Sequence, residues 1–485
     1  MADHAETIAS PTRGEAHSTD DICPLNKLFD LQRSAFRSTP VASCRERILR
    51  LQELKKLLLN NKQAFITAIS ADFGGRCRHE TVLGELMPSV QGIDYTCKHL
   101  ARWMKPSIRR VDLHLQPARA AVHYQPLGVA GIMVPWNYPL QLAVLPLAGA
   151  LAAGNRAMVK MSELAPHTSA LFARCIKEMF APEWVAVIEG DDKVAARFSA
   201  LAFDHLLFTG STRIGRQVMA TAAQNLTPVT LELGGKSPAI ICQDANIQQA
   251  AERICFGKSF NAGQTCVAPD YVLCPHHRMD AFIEAYRRSF KQMYPRLDTG
   301  DYTSIINEQH HRRLSNLIDD AKNKGAHIHT MAESVQGNDH RRMPPHIVTN
   351  VKDNMDMMHD EIFGPVLPLV PYESIEQAID FIRAAPHPLA LYLFGHDQTT
   401  QEKVIAQTQS GGVCINDTLL HVAVEDLPFG GIGDSGMGHY HGHEGFLTFS
   451  KARSVLHKGK INSAKLMYPP YGGFIGKLIE KVLVR

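Results

Sequence analysis

The sequence lacks a surplus of charge of either sign. Its 485 residues hold 51 Lys and Arg against 48 Asp and Glu, a formal net charge of +3. Proteins that bind nucleic acid or anionic lipid by general electrostatic attraction carry a much larger positive surplus. We therefore expect neither nucleic acid nor a membrane surface as a partner.

Cysteine pairs are also lacking. The ten cysteines are scattered, and no two of them stand at the Cys-x-x-Cys spacing. This distribution argues against a disulfide framework or a zinc ribbon and favours a reducing compartment, so we expect a cytoplasmic protein. A chain of this length needs neither disulfides nor structural metal ions to fold, because it can bury roughly three quarters of its unfolded surface.

One histidine cluster has a spacing that some metal sites use. His439, His441 and His443 alternate, but no cysteine and no obvious acidic partner accompanies them in the sequence. Zinc sites usually combine side chains of these types. We interpret the three as surface or structural histidines and expect no metal ion.

No segment has the pattern of a targeting signal or a membrane span. Residues 1–21 mix acids, bases and small polar residues without an apolar core, which predicts a poorly ordered arm. The stretch between Arg119 and Arg156 contains no Asp, Glu, Lys or Arg, but four prolines interrupt it. A spanning helix needs about 20 continuous apolar residues. We expect a buried strand followed by a buried helix there.

Short apolar segments alternate with longer segments from residue 127 to residue 234. The apolar runs predict strands at residues 129–134, 157–160, 184–188, 205–208 and 229–233. The segments between them predict helices at residues 140–153, 168–180, 191–200 and 211–223. Apolar strands that alternate with helices indicate a doubly wound parallel sheet, an architecture that binds nucleotides.

The rest of the chain also predicts an α/β fold. Residues 24–103 are mostly helical by pattern, and residues 111–124 alternate like a protruding β-hairpin. A second alternating region runs from residue 237 to residue 416. Its expected strands are residues 239–242, 271–274, 366–370, 391–394 and 413–415.

Cys266 differs from the other cysteines in its context. A free cysteine is usually a small buried hydrophobe. Cys266, however, ends the polar segment Gly263-Gln264-Thr265-Cys266, which follows a helical pattern and precedes a strand. Such a loop can expose a thiol and direct backbone N–H groups at whatever bonds to it.

Glu232 stands between two leucines at the end of a predicted strand, where unpaired carboxylates are rare. It has two interpretations: a structural glutamate in an ion pair, or a general base whose pKa is raised by partial burial. Gly234 and Gly235 let the backbone turn tightly beside it.

Asn137 lies between two prolines, directly after another predicted strand. Ligands of open parallel sheets sit at this edge of the sheet. An asparagine there is often only a turn residue, but its amide can also serve as an oxyanion donor.

The segment from Gly210 to Gly215 has a strand–turn–helix pattern that can hold a pyrophosphate on the N–H groups of the helix start. It departs from the G-x-G-x-x-G fingerprint, because Thr212 replaces the second glycine. Lys160 and Glu163 end the neighbouring predicted strand, where an acidic side chain can accept hydrogen bonds from ribose hydroxyls.

Five motifs together resemble the aldehyde dehydrogenase superfamily, over nearly the whole chain from Pro24 to Ser454. They follow one another in the family's order and with similar spacing. They are Pro135-Trp136-Asn137, Glu232-Leu233-Gly234-Gly235, Gly263-Gln264-Thr265-Cys266, Glu361-Ile362-Phe363-Gly364-Pro365 and Leu427-Pro428-Phe429-Gly430-Gly431.

Other segments resemble the class 3 branch of that family, namely Ala268-Pro269-Asp270-Tyr271, Asn416-Asp417 and His439-Tyr440-His441-Gly442. The ending Tyr468-Pro469-Pro470-Tyr471-Gly472 is similar to bacterial coniferyl-aldehyde dehydrogenases of that branch. Met161 is a departure, since the family more often has proline there.

The resemblance implies a mechanism. Cys266 attacks the aldehyde, the Cys266 backbone N–H and the Asn137 amide stabilise the oxyanion, and Glu232 activates the water that releases the acid. The implied cofactor is NAD, with NADP as an alternative. The implied cofactor contacts are Trp136, Lys160, Glu163, Gly210, Ser211, Gly215, Glu361 and Phe363.

The resemblance also implies an organisation. Residues 22–110 and 127–233 form a dinucleotide-binding domain, and residues 234–416 form a catalytic domain. Residues 111–126 and 450–485 form an oligomerisation hairpin and a C-terminal tail. We expect a homodimer, with the apolar stripe of residues 474–484 packed on a subunit and not anchored in a membrane.

The implied substrate is an aromatic or medium-chain aldehyde, with coniferyl aldehyde, oxidised to ferulate, as the specific expectation. Three alternatives stay open. A coenzyme A-acylating aldehyde dehydrogenase commonly lacks the glutamate at the position of Glu232. A non-redox cysteine hydrolase needs no nucleotide-binding half, and a catalytically silent binding protein needs no complete set of catalytic side chains.

Overall fold

The structure is a computed structural model that describes residues 24–39, 41–112, 115–333 and 341–460, with isolated positions after residue 460. The N-terminal arm expected at residues 1–21 lies outside the described residues. So does most of the tail that was expected to pack on a subunit.

The helices of the described chain are α1 (Pro24–Ser38), α2 (Cys44–Asn60), α3 (Lys62–Phe73), α4 (Arg78–Thr81), α5 (Met87–Trp103), α6 (Gln141–Ala153), α7 (Pro166–Met179), α8 (Asp192–Ser199), α9 (Thr212–Ala223), α10 (Ile247–Ser259), α11 (Met279–Met293), α12 (Glu308–Asn323), α13 (Ile375–Ala384), α14 (Gln398–Gln407) and α15 (Gly442–Thr448). A π-helical turn (Val82–Leu86) leads into α5.

The strands are β1 (Ser107–Arg109), β2 (Arg119–Pro126), β3 (Val129–Met133), β4 (Arg156–Lys160), β5 (Val185–Ile188), β6 (His205–Thr209), β7 (Val229–Glu232), β8 (Pro238–Ile241), β9 (Tyr271–Pro275), β10 (His327–Thr330), β11 (His346–Thr349), β12 (Val366–Tyr372), β13 (Ala390–Phe394), β14 (Gly412–Ile415), β15 (Gly436–Met437) and β16 (Ser450–His457).

The first sheet has six strands in the order β15-β7-β6-β3-β4-β5. Its five longer strands run parallel, and only β15 is antiparallel. Every residue of β3, β4 and β6 is buried, as the apolar runs predicted. Helix α6 is buried on all sides, which suits a helix without a single charged residue. The expected doubly wound parallel sheet is confirmed.

The second sheet has seven strands in the order β10-β11-β12-β9-β8-β13-β14. All neighbours run parallel except β10 and β11. The five strands expected in this region are present, but β10 and β11 were missed. Strand β10 is a four-residue edge strand with two exposed polar residues, a pattern that also fits a loop.

The third sheet, in the order β1-β2-β16, corrects the predicted hairpin. Its first strand is β1, not a segment that begins at Val111, and β2 pairs antiparallel with β16 along eight residue pairs. The alternating pattern misled because it continued through Pro117, and proline cannot donate to a strand ladder. The described residues contain no helix long and apolar enough to cross a bilayer.

Candidate active site

A tight backbone turn delivers Cys266 to the site. After α10, one 3-10 turn (Phe260–Gly263) holds Asn261 at φ +52°, Ala262 at +51° and Gly263 at +73°. Left-handed conformations are costly for residues other than glycine. A Cβ on Gly263 would lie 2.5 Å from a neighbouring backbone carbonyl oxygen, so a larger residue does not fit. Cys266 follows, half-buried, on the wall of a cavity.

Gln264 fixes this loop. Its buried amide nitrogen donates to the carbonyl of Asn261 at 3.0 Å and to that of Ser304 at 3.1 Å. Its amide oxygen accepts from the backbone N–H of Ile306 at 2.9 Å. A buried amide with three hydrogen bonds makes a rigid anchor two residues from the thiol.

The cavity beside Cys266 has a volume of about 280 Å³ and is also lined by Glu232. Its remaining wall is mostly apolar. The aromatic residues of the wall are Tyr138, Phe256, Phe260, Phe429 and Tyr440. Gln141, Thr209 and Thr265 add polar groups, and no histidine is among the described residues that line it.

Glu232 is the last residue of β7, and its side chain is buried. Within the described chain, neither carboxylate oxygen has a hydrogen-bond partner. Burial raises the pKa of Glu232 well above its ordinary value of 4.5. An unpaired buried carboxyl in a cavity has the properties of a general base and not those of a structural ion pair.

The surroundings of the Cys266 thiol favour its protonated form. Burial, together with the carboxyls of Glu361 and Glu232, raises its pKa to about 12, although the backbone N–H groups of Cys266 and Val267 lower it. N–H groups that approach the sulfur can also donate to an oxygen on a carbon bonded to that sulfur. The loop can therefore present a thiol and N–H donors to one bound substrate.

Asn137 lies in the turn between β3 and α6 and is buried. Its amide nitrogen donates to the carbonyl of Gln264 at 3.3 Å, which ties the turn to the Cys266 loop. An amide carries two N–H donors, and this is the one hydrogen bond of the Asn137 amide nitrogen within the described residues. Its second N–H is the candidate oxyanion donor.

The turn between β6 and α9 fits a pyrophosphate. Ser211 caps α9 and accepts from the N–H of Ile214 at 3.5 Å. A Cβ on Gly215 would lie 2.7 Å from the side chain of Leu233, and one on Gly210 would lie 2.5 Å from the Phe208 ring. The two glycines therefore allow the close approach of the helix start to the sheet edge that such turns need.

Lys160 and Glu163 meet at the carboxyl end of β4. The Lys160 ammonium is buried, lies 3.6 Å from the Glu163 carboxylate and donates to the carbonyl of Met161 at 2.7 Å. Burial lowers the pKa of Lys160. Glu163 is about half exposed, with 48% of its side chain accessible, so it can accept hydrogen bonds from a ribose.

Glu361 is held against Gly234. Lys236 pairs with Asp270, and Asp270 accepts from the N–H of Ile362 at 2.9 Å, so this ion pair fixes the backbone beside Glu361. A Cβ on Gly234 would lie 2.0 Å from the Glu361 carboxylate. Burial raises the pKa of Glu361 to about 8.

Phe363 and Trp136 are also brought together. Their rings contact edge to face, with centroids 5.4 Å apart, and Trp136 packs on His310 at 5.0 Å. Phe363 has a left-handed backbone at φ +48°. Neither ring lines the Cys266 cavity, so the two form a separate aromatic cluster behind it.

Sequence reasoning missed two ion pairs of this region, one partly buried and one fully buried. Lys236 with Asp270 is one, and Arg76 with Glu85 is the other. A charged residue at a buried position has no local sequence pattern of its own. The only available signal was a charge among apolar neighbours, such as Glu85 beside Leu86.

The three alternating histidines lie in three different environments. His439 is exposed, and His443 packs against Trp103 with the two rings tilted and their centroids 5.4 Å apart. His441 is buried with its Nδ1 3.3 Å from a carboxylate oxygen of Glu425, an acidic neighbour that the sequence did not reveal. Over the described ranges, no group of three or more His, Cys, Asp or Glu is arranged to hold a metal ion.

Comparison with known protein families matches residues 14–455 to the aldehyde dehydrogenase family. This chain belongs to that family. The reaction of an aldehyde dehydrogenase is the oxidation of an aldehyde to a carboxylic acid with NAD(P), so the resemblance of the motifs is confirmed at this level.

Individual relatives agree with this membership. The chain is 53% identical over 469 residues to the probable coniferyl aldehyde dehydrogenase of Pseudomonas aeruginosa, covering 96% of this chain and 98% of that protein. It is 44% identical over 464 residues to the coniferyl aldehyde dehydrogenase of a Pseudomonas species, covering 95% and 96%. Staphylococcus aureus AldH, solved in its substrate-bound state, superposes with a TM-score of 0.90 at 36% identity, covering 96% of this chain and 100% of that one.

Proposed function

We propose that this aldehyde dehydrogenase oxidises an aromatic or medium-chain aldehyde, with coniferyl aldehyde as substrate and ferulate as product. The observation that carries the proposal is the cavity that Cys266 and Glu232 share, because its wall is largely aromatic and aliphatic. Aromatic side chains pack well on a flat conjugated ring. The names of the two Pseudomonas relatives support the same choice.

In the proposed mechanism, the Cys266 thiol gives its proton to solvent, and the thiolate forms a C–S bond to the aldehyde carbon as the carbonyl π bond breaks. The second N–H of the Asn137 amide and the backbone N–H of Cys266 donate to the oxyanion that results. When bound, NAD(P)⁺ would supply the hydride acceptor, and loss of the hydride from the substrate carbon would leave a thioester on Cys266. Glu232 then takes a proton from water as the water attacks the thioester, the C–S bond breaks, and the acid leaves.

The cofactor would lie along the carboxyl edge of the first sheet. Lys160 and Glu163 would contact its adenosine ribose, and the turn of Gly210, Ser211 and Gly215 would face its pyrophosphate. Glu361, Phe363 and Trp136 would position the nicotinamide half. We propose that NAD is used at least as well as NADP, because the Glu163 carboxylate would repel a 2′-phosphate.

For the oligomeric state and the domain boundaries we propose what the sequence predicts. We propose a cytoplasmic homodimer, and the nine described cysteines, all free thiols, suit a reducing compartment. The dinucleotide-binding domain would comprise residues 22–110 and 127–233, and the catalytic domain residues 234–416. The third sheet would then serve oligomerisation.

Absorbance of NADH tests the proposal. Purified enzyme with NAD should show a higher kcat/KM for coniferyl aldehyde than for acetaldehyde or a charged semialdehyde, and Cys266→Ala should lose essentially all activity. Preference for a charged semialdehyde would contradict the substrate, and an active Cys266→Ala enzyme would contradict the mechanism.

The NADH assay with and without coenzyme A, together with an assay of ester cleavage, separates the alternatives. Turnover that requires coenzyme A would identify an acylating enzyme. The presence of Glu232 as a base for hydrolysis argues against that outcome. Ester cleavage without any aldehyde oxidation would identify a hydrolase. A cysteine hydrolase pairs its cysteine with a histidine, and the described wall of the cavity holds none. Absence of turnover with every aldehyde and ester would indicate a binding protein without catalytic activity.

A further inference from the structure

The turn that carries Asn137 rests on a buried ion pair from a distant part of the chain. Arg76 lies between α3 and α4, and Glu85 lies in the π-helical turn before α5. Their side chains approach to 2.7 Å, and both are 0% exposed. Neither lines the Cys266 cavity, so the pair can act on the reaction only through its neighbours.

Arg76 contacts the turn at two consecutive residues. Its Nη1 donates to the backbone carbonyl of Asn137 at 3.1 Å, and its Cζ lies 4.7 Å from the centroid of the Tyr138 ring. The Tyr138 hydroxyl is hydrogen-bonded to Thr265 Oγ1 at 2.7 Å, next to Cys266. One guanidinium therefore supports both the Asn137 backbone and a ring that touches the nucleophile loop.

Glu85 holds the other end of the turn. While one of its oxygens meets Arg76, the other accepts from the backbone N–H of Leu140 at 2.7 Å and of Gln141 at 3.1 Å. These N–H groups belong to the start of α6, where a helix has no internal acceptors for them. A carboxylate is favoured at a helix N-terminus, and here it fixes where α6 begins.

The π-helical turn links this support to the cavity. It is a short wide turn of a kind that often marks functional sites. Leu83 and Gly84 of the same turn line the cavity, while Glu85 points inward to Arg76. The wall of the cavity and the support of Asn137 therefore share one piece of backbone.

We propose that Arg76 and Glu85 are positioning residues that set the Asn137 amide against the oxygen of a substrate bound to Cys266. The inference rests on the proposed function, in which Asn137 donates to that oxygen. Burying two charges gives little net stability compared with an apolar pair, so stability alone does not account for them. Precise placement does, because a shift of about 1 Å near reacting atoms can cost on the order of 100-fold in rate.

Arg47 offers a matched control at the opposite end of α6. It is also buried, and its guanidinium donates to the carbonyls of Ala152 at 3.0 Å and Ala153 at 2.8 Å. Arg47 thus holds the C-terminal end of the same helix, remote from Asn137 and Cys266. We therefore expect Arg47→Lys to disturb α6 at that end and to leave the Asn137 turn in place.

The test is a double-mutant cycle read by the rate of the first burst of NADH, at saturating NAD and aldehyde. Arg76→Lys and Glu85→Gln should each slow the burst by about 10- to 100-fold. In an Asn137→Ala background the same changes should alter the burst by no more than about two-fold, because the donor they position is gone. Arg47→Lys should lower the melting temperature but leave the burst within about two-fold of wild type.

Each outcome decides one claim. A normal burst in both Arg76→Lys and Glu85→Gln, or effects that multiply with that of Asn137→Ala, would overturn the positioning role alone. A normal burst in Asn137→Ala itself would overturn the oxyanion role. Both single changes are conservative, since one keeps the charge of Arg76 and the other keeps the hydrogen-bond acceptor of Glu85. A slow burst in either variant that folds would support the proposal if neither higher aldehyde nor higher NAD rescues it and if the change has no further effect in the Asn137→Ala background.

Discussion

At the scale of the residue, burial sets the protonation of the two groups that the proposed reaction needs. It raises the pKa of both Cys266 and Glu232, and the carboxyls of Glu361 and Glu232 add to the upward shift of the Cys266 pKa because a negative neighbour disfavours the thiolate. Both shifts favour the neutral form, and the proposed reaction requires the loss of a proton from each group in turn.

The reactivity of Cys266 should report this directly. In enzyme without cofactor, alkylation of Cys266 by iodoacetamide should be slow at pH 7 and should rise by about tenfold per pH unit up to at least pH 10, because only the thiolate reacts. Peptide mass spectrometry resolves Cys266 from the other thiols, with Cys266→Ala as the control. A rate that levels off below pH 8 would show that the thiol is not held protonated.

Glu232 should also affect stability, with a sign that follows from its raised pKa. Above about pH 4.5 the unfolded chain loses the proton while the folded chain keeps it, so wild type should lose stability relative to Glu232→Gln as pH rises. The difference should grow by up to about 1.4 kcal/mol per pH unit until the folded carboxyl ionises. Melting temperatures of both proteins between pH 5 and pH 8 provide the measurement. A constant difference over that range would refute the raised pKa.

Residues with a distinctive local context could be found from the sequence, and residues that act across the fold could not. Cys266 and Glu232 stood out because a polar loop and a carboxylate at a strand end break the local pattern, and the structure places both on one cavity. Arg76 and Glu85 meet beside Asn137 only because the segment after α3 and the π-helical turn both fold against the turn between β3 and α6. No sequence spacing encodes that contact.

At the scale of the element, the site depends on how closely strand ends, turns and helix starts approach one another. Gly234 follows β7, and an added Cβ would lie 2.0 Å from the Glu361 carboxylate. Since Glu361 lies in another segment, after α12 and β11, this glycine sets the distance between two parts of the chain.

Gly234→Ala should therefore displace Glu361 and weaken the use of NAD. We expect KM for NAD to rise on the order of tenfold, because Glu361 is proposed to hold the nicotinamide ribose. Gly445→Ala in α15 is the control, since its nearest neighbour would lie at an ordinary 3.6 Å. Steady-state kinetics with varied NAD tests both variants. An unchanged KM in Gly234→Ala would argue against the proposed role of Glu361.

The elements were predictable where the chain is apolar and regular. The buried strands of the first sheet and helix α6 were expected close to their observed bounds, because uniform burial leaves a continuous apolar run. Strands β10 and β11 were missed, and β1 was displaced, since each has only three or four residues and none is buried along its whole length. Their pairing is set by the strands beside them.

At the scale of the whole molecule, the third sheet leaves apolar side chains in solvent. Ile108 on β1 is 79% exposed, and Leu456 on β16 is 53% exposed. These are the two outer strands of the sheet, whose edges carry unpaired backbone groups. A second subunit is the proposed cover for them.

Changing Ile108 and Leu456 to Glu together should convert the proposed dimer to a monomer, because each subunit would have to bury two new carboxylates in the interface. Light scattering coupled to gel filtration measures the mass. Ile405→Glu on α14, also an exposed apolar position at 48%, should leave the mass unchanged. A double variant that keeps the mass of a dimer would show that the third sheet is not the interface.

The proposed reaction depends on a covalent thioester at Cys266, and trapping this intermediate tests the reaction directly. Glu232→Gln enzyme, mixed with NAD and coniferyl aldehyde and then denatured in acid, should carry a feruloyl group on the Cys266 peptide, detected by mass spectrometry. The adduct should be absent without NAD and absent from Cys266→Ala, and it should accumulate because deacylation is slowed by about 10²–10⁴-fold. Formation of NADH with no adduct on Cys266, or with the adduct on another residue, would contradict the account.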